Sequence, residues 1–286
     1  MFQTEIAIFC RNEAKHLNDM VHHVVEQVSH MGASFHPVKL HILENGSDDN
    51  SADVAKELEA QRFPFSLQAH THLPPGKAKT WNHFLELATA PYLIFLDADV
   101  QLASGALAQL RQRLQDNDDL HCAGAAPRLS PDFTPENFWQ SVFAVPYDAL
   151  PPAASLAGGA YGAKKAALSP MPEDVINEDL FLSLRHQGHF QCYEDIHLFV
   201  TPPSSLNAFI AQRTRILRAD MAEQKRHPNQ NIAQHRRGGW QSLKLYLKAA
   251  GPLKTLFFLW ARQQAQRKAQ RSVPTGSGWD PATRDG

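Results

Sequence analysis

The chain has 286 residues, 43% of them hydrophobic and 20% charged, which suits one α/β domain of roughly 200–250 residues plus an appendage. No run of about 18 apolar residues occurs, which excludes a membrane-spanning helix. Residues Met1–Glu5 lack a basic stretch followed by a long apolar one, so no secretory signal is expected and the expected compartment is cytoplasmic. The net charge of −1 hides an asymmetry. Eleven Lys or Arg and no Asp or Glu lie between Gln224 and Arg271, leaving seventeen basic against twenty-nine acidic residues elsewhere. An acidic body argues against nucleic acid as the main ligand, and a basic tail calls for an anionic partner.

In chain order, Thr4–Cys10 reads as a buried strand. Asn18 can cap a helix through Met31, stopped by Gly32. Val38–Glu44 is a second strand, and Asn50 or Ser51 caps a helix to about Arg62. A short strand at Phe65–Ala69 precedes a helix at Lys77–Ala88. The run Tyr92–Asp97 has strand length and is apolar enough to be buried on both faces. A helix at Ser104–Gln115 and a strand at Cys122–Ala126 follow. Strands separated by helices predict right-handed crossovers and a mostly parallel central sheet flanked by helices, an α/β, Rossmann-like class. Ligands of such sheets bind beyond the carboxyl ends of the strands. The second half is less regular: a helix from Glu178 to about His186, a strand near Gln191–Val200, and helices at Leu206–Ala222 and Gln241–Arg271, the last broken at Gly251-Pro252. Residues 272–286, rich in Gly, Pro, Ser and Asp, read as a disordered tail. Cys10, Cys122 and Cys192 are widely spaced and read as small core residues of a reduced protein. None of the fifteen histidines shows metal-ligand spacing with carboxylates.

Five constellations carry chemistry. Asp97-Ala98-Asp99 places two carboxylates just past the most apolar strand, where hard oxygens suit Mg²⁺ or Mn²⁺ shared with substrate phosphates; a solvated acidic pair is the alternative. Glu44 to Ser51 ends a strand and opens a helix, so its polar groups either contact a base or ribose or simply shape the turn. Gly76-Lys77 opens a helix and suits phosphate or donor contacts, or is a basic helix start. Glu178 and Asp179 sit at a helix start, either for the helix dipole or as a general base. Gln212 and Arg215 share a helix face, from which an arginine can hold a diphosphate.

The order of these signals resembles glycosyltransferase family 2, inverting enzymes with the GT-A fold, from about Thr4 to Ile216. The succession runs Arg11-Asn12-Glu13, Glu44-Asn45-Gly46-Ser47, Gly76-Lys77, Asp97-Ala98-Asp99, Ala157-Gly158-Gly159-Ala160, Glu178-Asp179 and Gln212 to Arg215. The resemblance implies a nucleotide-sugar donor, UDP by default, held by Glu13, Glu44, Asn45, Lys77, Asp97, Gln212 and Arg215. It implies a metal ion at Asp99 with Asp97. Asp179 would be the catalytic base, with Glu178 its supporting neighbour. Glu44 stands where the family usually has Asp, and Ile216 replaces the tryptophan of processive members, so one sugar per encounter is expected. It also implies three segments: a GT-A domain at 1–216, a basic helical extension at 217–271 and the tail. A nucleotidyltransferase would carry a glycine-rich loop where Arg11-Asn12-Glu13-Ala14-Lys15 stands. A non-catalytic nucleotide-sugar-binding module would have no need of Asp97, Asp99 and Asp179.

The acceptor is expected to be a glycan or a lipid-linked molecule. The stretch Leu253–Ala261, followed by Arg262, Arg267, Lys268 and Arg271, is too short to span a bilayer. It can lie on an anionic membrane surface as a basic amphipathic helix, or Leu256, Phe257 and Trp260 can pack onto the domain.

Overall fold

A computed structural model describes residues 2–151, 153, 155–230, 232 and 239–271. The tail at 272–286 therefore lies outside the described residues. Eight strands form one sheet: β1 (Thr4–Cys10), β2 (Val38–Glu44), β3 (Ser66–His70), β4 (Tyr92–Asp97), β5 (Gln101–Leu102), β6 (Cys122–Arg128), β7 (Ala160–Lys164) and β8 (Phe190–Phe199), in the order β3-β2-β1-β4-β7-β6-β8-β5. The first four are mutually parallel. Strand β6 pairs with β8 in parallel, and β7 is wedged antiparallel between β4 and β6. The chain leaves β1 toward β2 and β3, then returns to lay β4 on the other side. That reversal opens a crevice beyond the carboxyl ends of β1 and β4. Register fixes what stands there, since Cys10 faces Glu44 and Phe9 faces Asp97.

Alternation along the strands separates two cores. Ile6, Ile8, Leu40, Ile42, Ile94 and Leu96 face one side. They pack with residues of α1 (Ala14–Ser29), α2 (Ser51–Glu59) and α4 (Ala106–Asp116). Ala7, Phe9, Leu93 and Phe95 face the other, against Trp81 and Phe84 of α3 (Lys77–Leu87) and Phe181 and Leu182 of α6 (Glu178–Arg185). Burial of each such large side chain contributes about 1.5–3 kcal/mol.

Helix α1 begins at Ala14 instead of Asn18. Its first amides do not need a local cap, because the neighbouring turn supplies acceptors: Glu13 N donates to Ser51 Oγ at 3.0 Å and Ala14 N to Asp49 Oδ2 at 3.2 Å. Helix α2 ends at Glu59, short of Arg62; the Asn50 side chain does not cap it, and Asp49 Oδ1 instead accepts from Ser51 N at 3.0 Å. Two elements carry no sequence signal of their own. Strand β7, Ala-Tyr-Gly-Ala-Lys, has no β-branched residue and is a strand because β4 and β6 pair with it. Its Gly162 lets α4 press close, since a Cβ there would lie 2.9 Å from Leu114 Cδ1. Helix α5 (Phe138–Ala149) contains Pro146, which masks its helical pattern.

Helix α7 (Leu206–Arg226) runs unbroken across position 216, and α8 (Gly239–Gln270) bends at Gly251, whose φ of 74° precedes Pro252. Both pack with α5 into a helical layer. Phe143 stacks on Phe209 with ring centroids 4.0 Å apart. Tyr246 OH donates to the Val142 carbonyl at 2.6 Å. Helix α8 docks through Thr255, Ala261, Ala265 and Ala269. Of the three residues weighed for packing, only Phe257 meets aromatic partners among the described residues, Phe138 and Trp139. Leu256 is 66% exposed and Trp260 43% exposed, because the small-residue face, not the bulky one, allows close approach to α7.

Candidate functional site

At the crevice, two βα turns are stitched together through main-chain groups. Asn12, held at a φ of 56°, donates its N–H to Ser47 Oγ at 3.0 Å and accepts from Asp48 N at 2.7 Å. Together with the Ser51 and Asp49 bonds, this fixes the chain that carries Glu13 into the crevice. Burial alone would raise the Asp49 carboxyl, but hydrogen bonds from Ser51 and Ala14 outweigh it and hold the group below its usual range. Glu44 is buried, and its two oxygens accept from Ser47 N at 2.6 Å and His72 N at 2.7 Å. Asn45 is buried too and donates to Thr80 Oγ1 at 3.1 Å. Both belong to the frame behind the crevice and do not line it.

Lys77 opens α3 and points inward. Its ammonium lies 2.7 Å from Asp97 Oδ1, forms an ion pair with Glu178 Oε1, and sits 5.7 Å from the centre of the Phe9 ring. Burial by itself would lower its pKa, yet the two carboxylates outweigh it and raise it. Glu178 is pushed up by burial despite Lys77, with Asp179 and Asp97 adding to the effect. The lysine is thus a clamp between the carboxylate that ends β4 and the one that opens α6, and neither it nor Glu178 is among the residues lining the cleft.

The cleft itself has a volume of about 1410 Å³ and is lined by Glu13, Asp97, Asp99, Asp179, Gln212 and Arg215 among others. Six of the residues singled out in the sequence, from β1, β4, α6 and α7, therefore share one cavity. The glycines before β7 make the approach possible. A Cβ on Gly158 would stand 3.2 Å from Asp179 Oδ2, and one on Gly159 would stand 2.9 Å from Val100 Cγ1. Asp97 N donates to the Gly159 carbonyl at 3.0 Å, tying this loop to the end of β4. Leu180 N donates to Asp179 Oδ1 at 2.6 Å, which orients the carboxylate at the start of α6.

Some lining residues escaped sequence reasoning. Gln140 and Phe143 of α5 and Tyr246, Phe258 and Arg262 of α8 form the far wall. Tyr246, Phe258 and Arg262 belong to the aromatic and basic stretch after Gly239, in which Arg262 reads as one of the membrane-facing cations, whereas Gln140 and Phe143 carry no such signal. The cysteines are free; Cys10 and Cys122 are buried, with thiols pushed up to about 12 by that burial, and Cys192 reaches the cleft wall.

The donor set at Asp97 and Asp99 is all hard oxygen. Among the described residues no group of three or more His, Cys, Asp or Glu is arranged to hold a metal ion. A cation here would take few protein ligands and the rest from substrate phosphates, which is the habit of Mg²⁺ and Mn²⁺ at diphosphates.

Comparison with known proteins places this geometry. Curated proteins yield no match. A mannosyltransferase from Pyrobaculum calidifontis, solved with GDP-Man and Mn²⁺, is 16% identical and aligns at a TM-score of 0.60 over 96% of this chain and 76% of its own. Glucosyl-3-phosphoglycerate synthase from Mycobacterium tuberculosis, solved with Mn²⁺, UDP and glucosyl-3-phosphoglycerate, is 13% identical at a TM-score of 0.51, over 77% of this chain and 79% of its own. Mannosyl-3-phosphoglycerate synthase from Rubrobacter xylanophilus is 15% identical at 0.50, over 80% and 76%. At such identities these similarities establish the fold, GT-A. The model of "Glycosyl transferase family 2" matches residues 5–147, half of the chain, and the protein belongs to glycosyl transferase family 2.

Proposed function

We propose that the protein transfers one sugar from a nucleoside-diphosphate sugar to an acceptor hydroxyl with inversion, Asp179 serving as the base. The observation that carries this reading is the convergence of Asp97, Asp99, Asp179, Gln212 and Arg215 on one cleft. Glu13 and Asp97 would face the donor, with Glu44, Asn45 and Lys77 supporting the donor side from behind. Gln212 and Arg215 would hold the diphosphate, where a guanidinium forms paired hydrogen bonds to phosphate oxygens. Asp97 and Asp99 would hold Mg²⁺ or Mn²⁺, which when bound supplies positive charge against the departing diphosphate. Asp179 would take the acceptor proton as the hydroxyl attacks from the opposite side of the sugar. Glu178 keeps its neighbour in place through Lys77 and the α6 start. The solved structures with GDP-Man and Mn²⁺, and with UDP and Mn²⁺ or Mg²⁺, support a donor of this class. Incubation with a panel of UDP- and GDP-sugars and Mn²⁺ should consume one donor, release its nucleotide and lose activity on chelation. A panel in which no donor is consumed and none raises the melting temperature would overturn the reading.

We further propose that residues 1–216 form the catalytic unit and that the extension after them completes the cleft and docks the protein on an anionic membrane surface. No described helix is long and apolar enough to cross a membrane. After Pro252, however, the outer face of α8 exposes Leu253, Leu256 and Trp260 and then the basic Arg267, Lys268 and Arg271. An apolar strip beside cations suits the interface of an anionic leaflet. Such a surface would be the inner face of the membrane for a cytoplasmic enzyme, with a glycan or lipid-linked acceptor. Co-sedimentation with anionic vesicles should fall in a Leu253→Ser, Leu256→Ser, Trp260→Ser variant; equal binding would reject the docking.

A further inference from the structure

The far wall of the cleft holds a cation, Arg262, with no ion-pair partner among the described residues. Helix α8 lies wholly beyond the residues that the family model matches. At 100° per residue, Thr255, Phe258, Arg262, Ala265 and Ala269 fall on its inner face, and Leu253, Leu256, Trp260 and Arg267 on its outer one. The burial of Thr255, Ala265 and Ala269 agrees with that division. Arg267 and Lys268 stand in solvent, whereas Arg262 turns inward and lines the cleft. Its guanidinium carbon lies 5.8 Å from the centre of the Phe258 ring.

No carboxylate pairs with Arg262 among the described residues. The cleft's own carboxylates, Glu13, Asp97, Asp99, Asp132, Glu136 and Asp179, belong to other elements. Burial lowers the pKa of Arg262. Withdrawing a guanidinium from water with no counter-charge is unfavourable. An inward cation is therefore matched when a ligand brings the anion. The one ring neighbour of Arg262 among the described residues is Phe258, and the same cleft is lined by Phe143, Leu243, Gln140 and Ser242 as well as by charged groups such as Glu136 and Arg213.

We propose that Arg262 binds a phosphate group carried by the acceptor, so that the acceptor is a phosphate ester presenting a hydroxyl toward Asp179. The planar fork of arginine matches two phosphate oxygens at once. This inference rests on the glycosyltransferase reading, and it assigns the extension a part in substrate selection. The phosphate belongs either to a soluble ester or to a lipid headgroup.

The test uses the full chain, saturated with UDP and Mn²⁺ so that the donor diphosphate site is filled. Glycerol 3-phosphate and glycerol are titrated by calorimetry into wild type, Arg262→Met and Arg262→Lys. Methionine keeps the aliphatic stem over Phe258 and removes the charge; lysine keeps the charge and loses the fork. Glycerol 3-phosphate should bind wild type and weaken by about tenfold or more in Arg262→Met, with lysine in between. UDP binding should match across the three proteins, and neither variant should melt below wild type. If wild type ignores the soluble ester, vesicles of phosphatidate in phosphatidylcholine replace it, and an Arg262-dependent gain over pure phosphatidylcholine assigns the phosphate to a lipid. Equal binding of either probe by wild type and Arg262→Met, or no binding of either by a wild type that holds UDP, overturns the proposal. Failure of the protein to bind UDP at all would count instead against the glycosyltransferase reading.

Discussion

The two walls of the cleft are built in different ways. On the sheet side, the ends of β1, β2 and β4 are held by strand register and by side chains that bond main-chain amides, as Ser51 and Asp49 do for Glu13 and Ala14. On the helical side, α5, α7 and α8 meet through rings, with Phe143 stacked on Phe209 and Tyr246 on Phe258. A hydrogen-bonded frame fixes positions closely, which suits the proposed role of Asp97 and Asp99 in holding a cation. Aromatic packing is less directional and adapts to shape. The sheet side is accordingly the closely fixed wall and the helical side the adaptable one.

The sharpest way to break this division lies where the walls meet. Asp179→Asn should leave donor binding intact and lower turnover by about 10²–10⁴-fold, the usual loss of a general base. Steady-state rates beside UDP affinity would show it, and near-normal turnover would remove Asp179 from its role. Next in size, Lys77→Met leaves the buried Glu178 and the half-buried Asp97 without their shared cation. Breaking a buried ion pair from one side costs about 3–5 kcal/mol. Denaturant unfolding should show a loss of that order; an unchanged midpoint would mean the clamp carries no weight. On the helical side, Phe143→Ala removes the stacked ring and should lower stability by up to about 3–5 kcal/mol. Its effect on UDP binding should be small, since the frame across the cleft is untouched. A parallel loss of UDP affinity would show that the walls act as one unit. The smallest effect is expected for Ser51→Ala, which strips one acceptor from the Glu13 amide and should cost about 1 kcal/mol. Donor affinity should nonetheless weaken, because Glu13 would lose its fixed approach; unchanged affinity would detach that turn from the site.

Much of the sheet side could be read from the residues. The apolar runs of β1, β2 and β4 have strand length and end in polar groups, so their existence and the exit point of Asp97 follow from local pattern. Glu178, Asp179, Gln212 and Arg215 were legible as helix-borne groups, and their succession along the chain indicated the family. Legibility failed where a residue's environment is supplied by a distant segment. Glu44 reads like a ligand group at a strand end, yet its oxygens are taken by Ser47 and His72. Lys77 reads like a phosphate contact, yet its ammonium is enclosed by Asp97 and Glu178.

By itself the sequence determined the alternation of strands and helices, the crevice end of the sheet and the asymmetric charge. These depend on apolar periodicity and chain direction, which neighbours within a few residues set. Only the tertiary structure decided where α1 begins, that β7 is a strand, which face of α8 turns inward and that Arg262 lines the cleft. Each of these depends on contacts between residues far apart in the chain, and no local pattern carries the free energy of a partner that arrives from elsewhere.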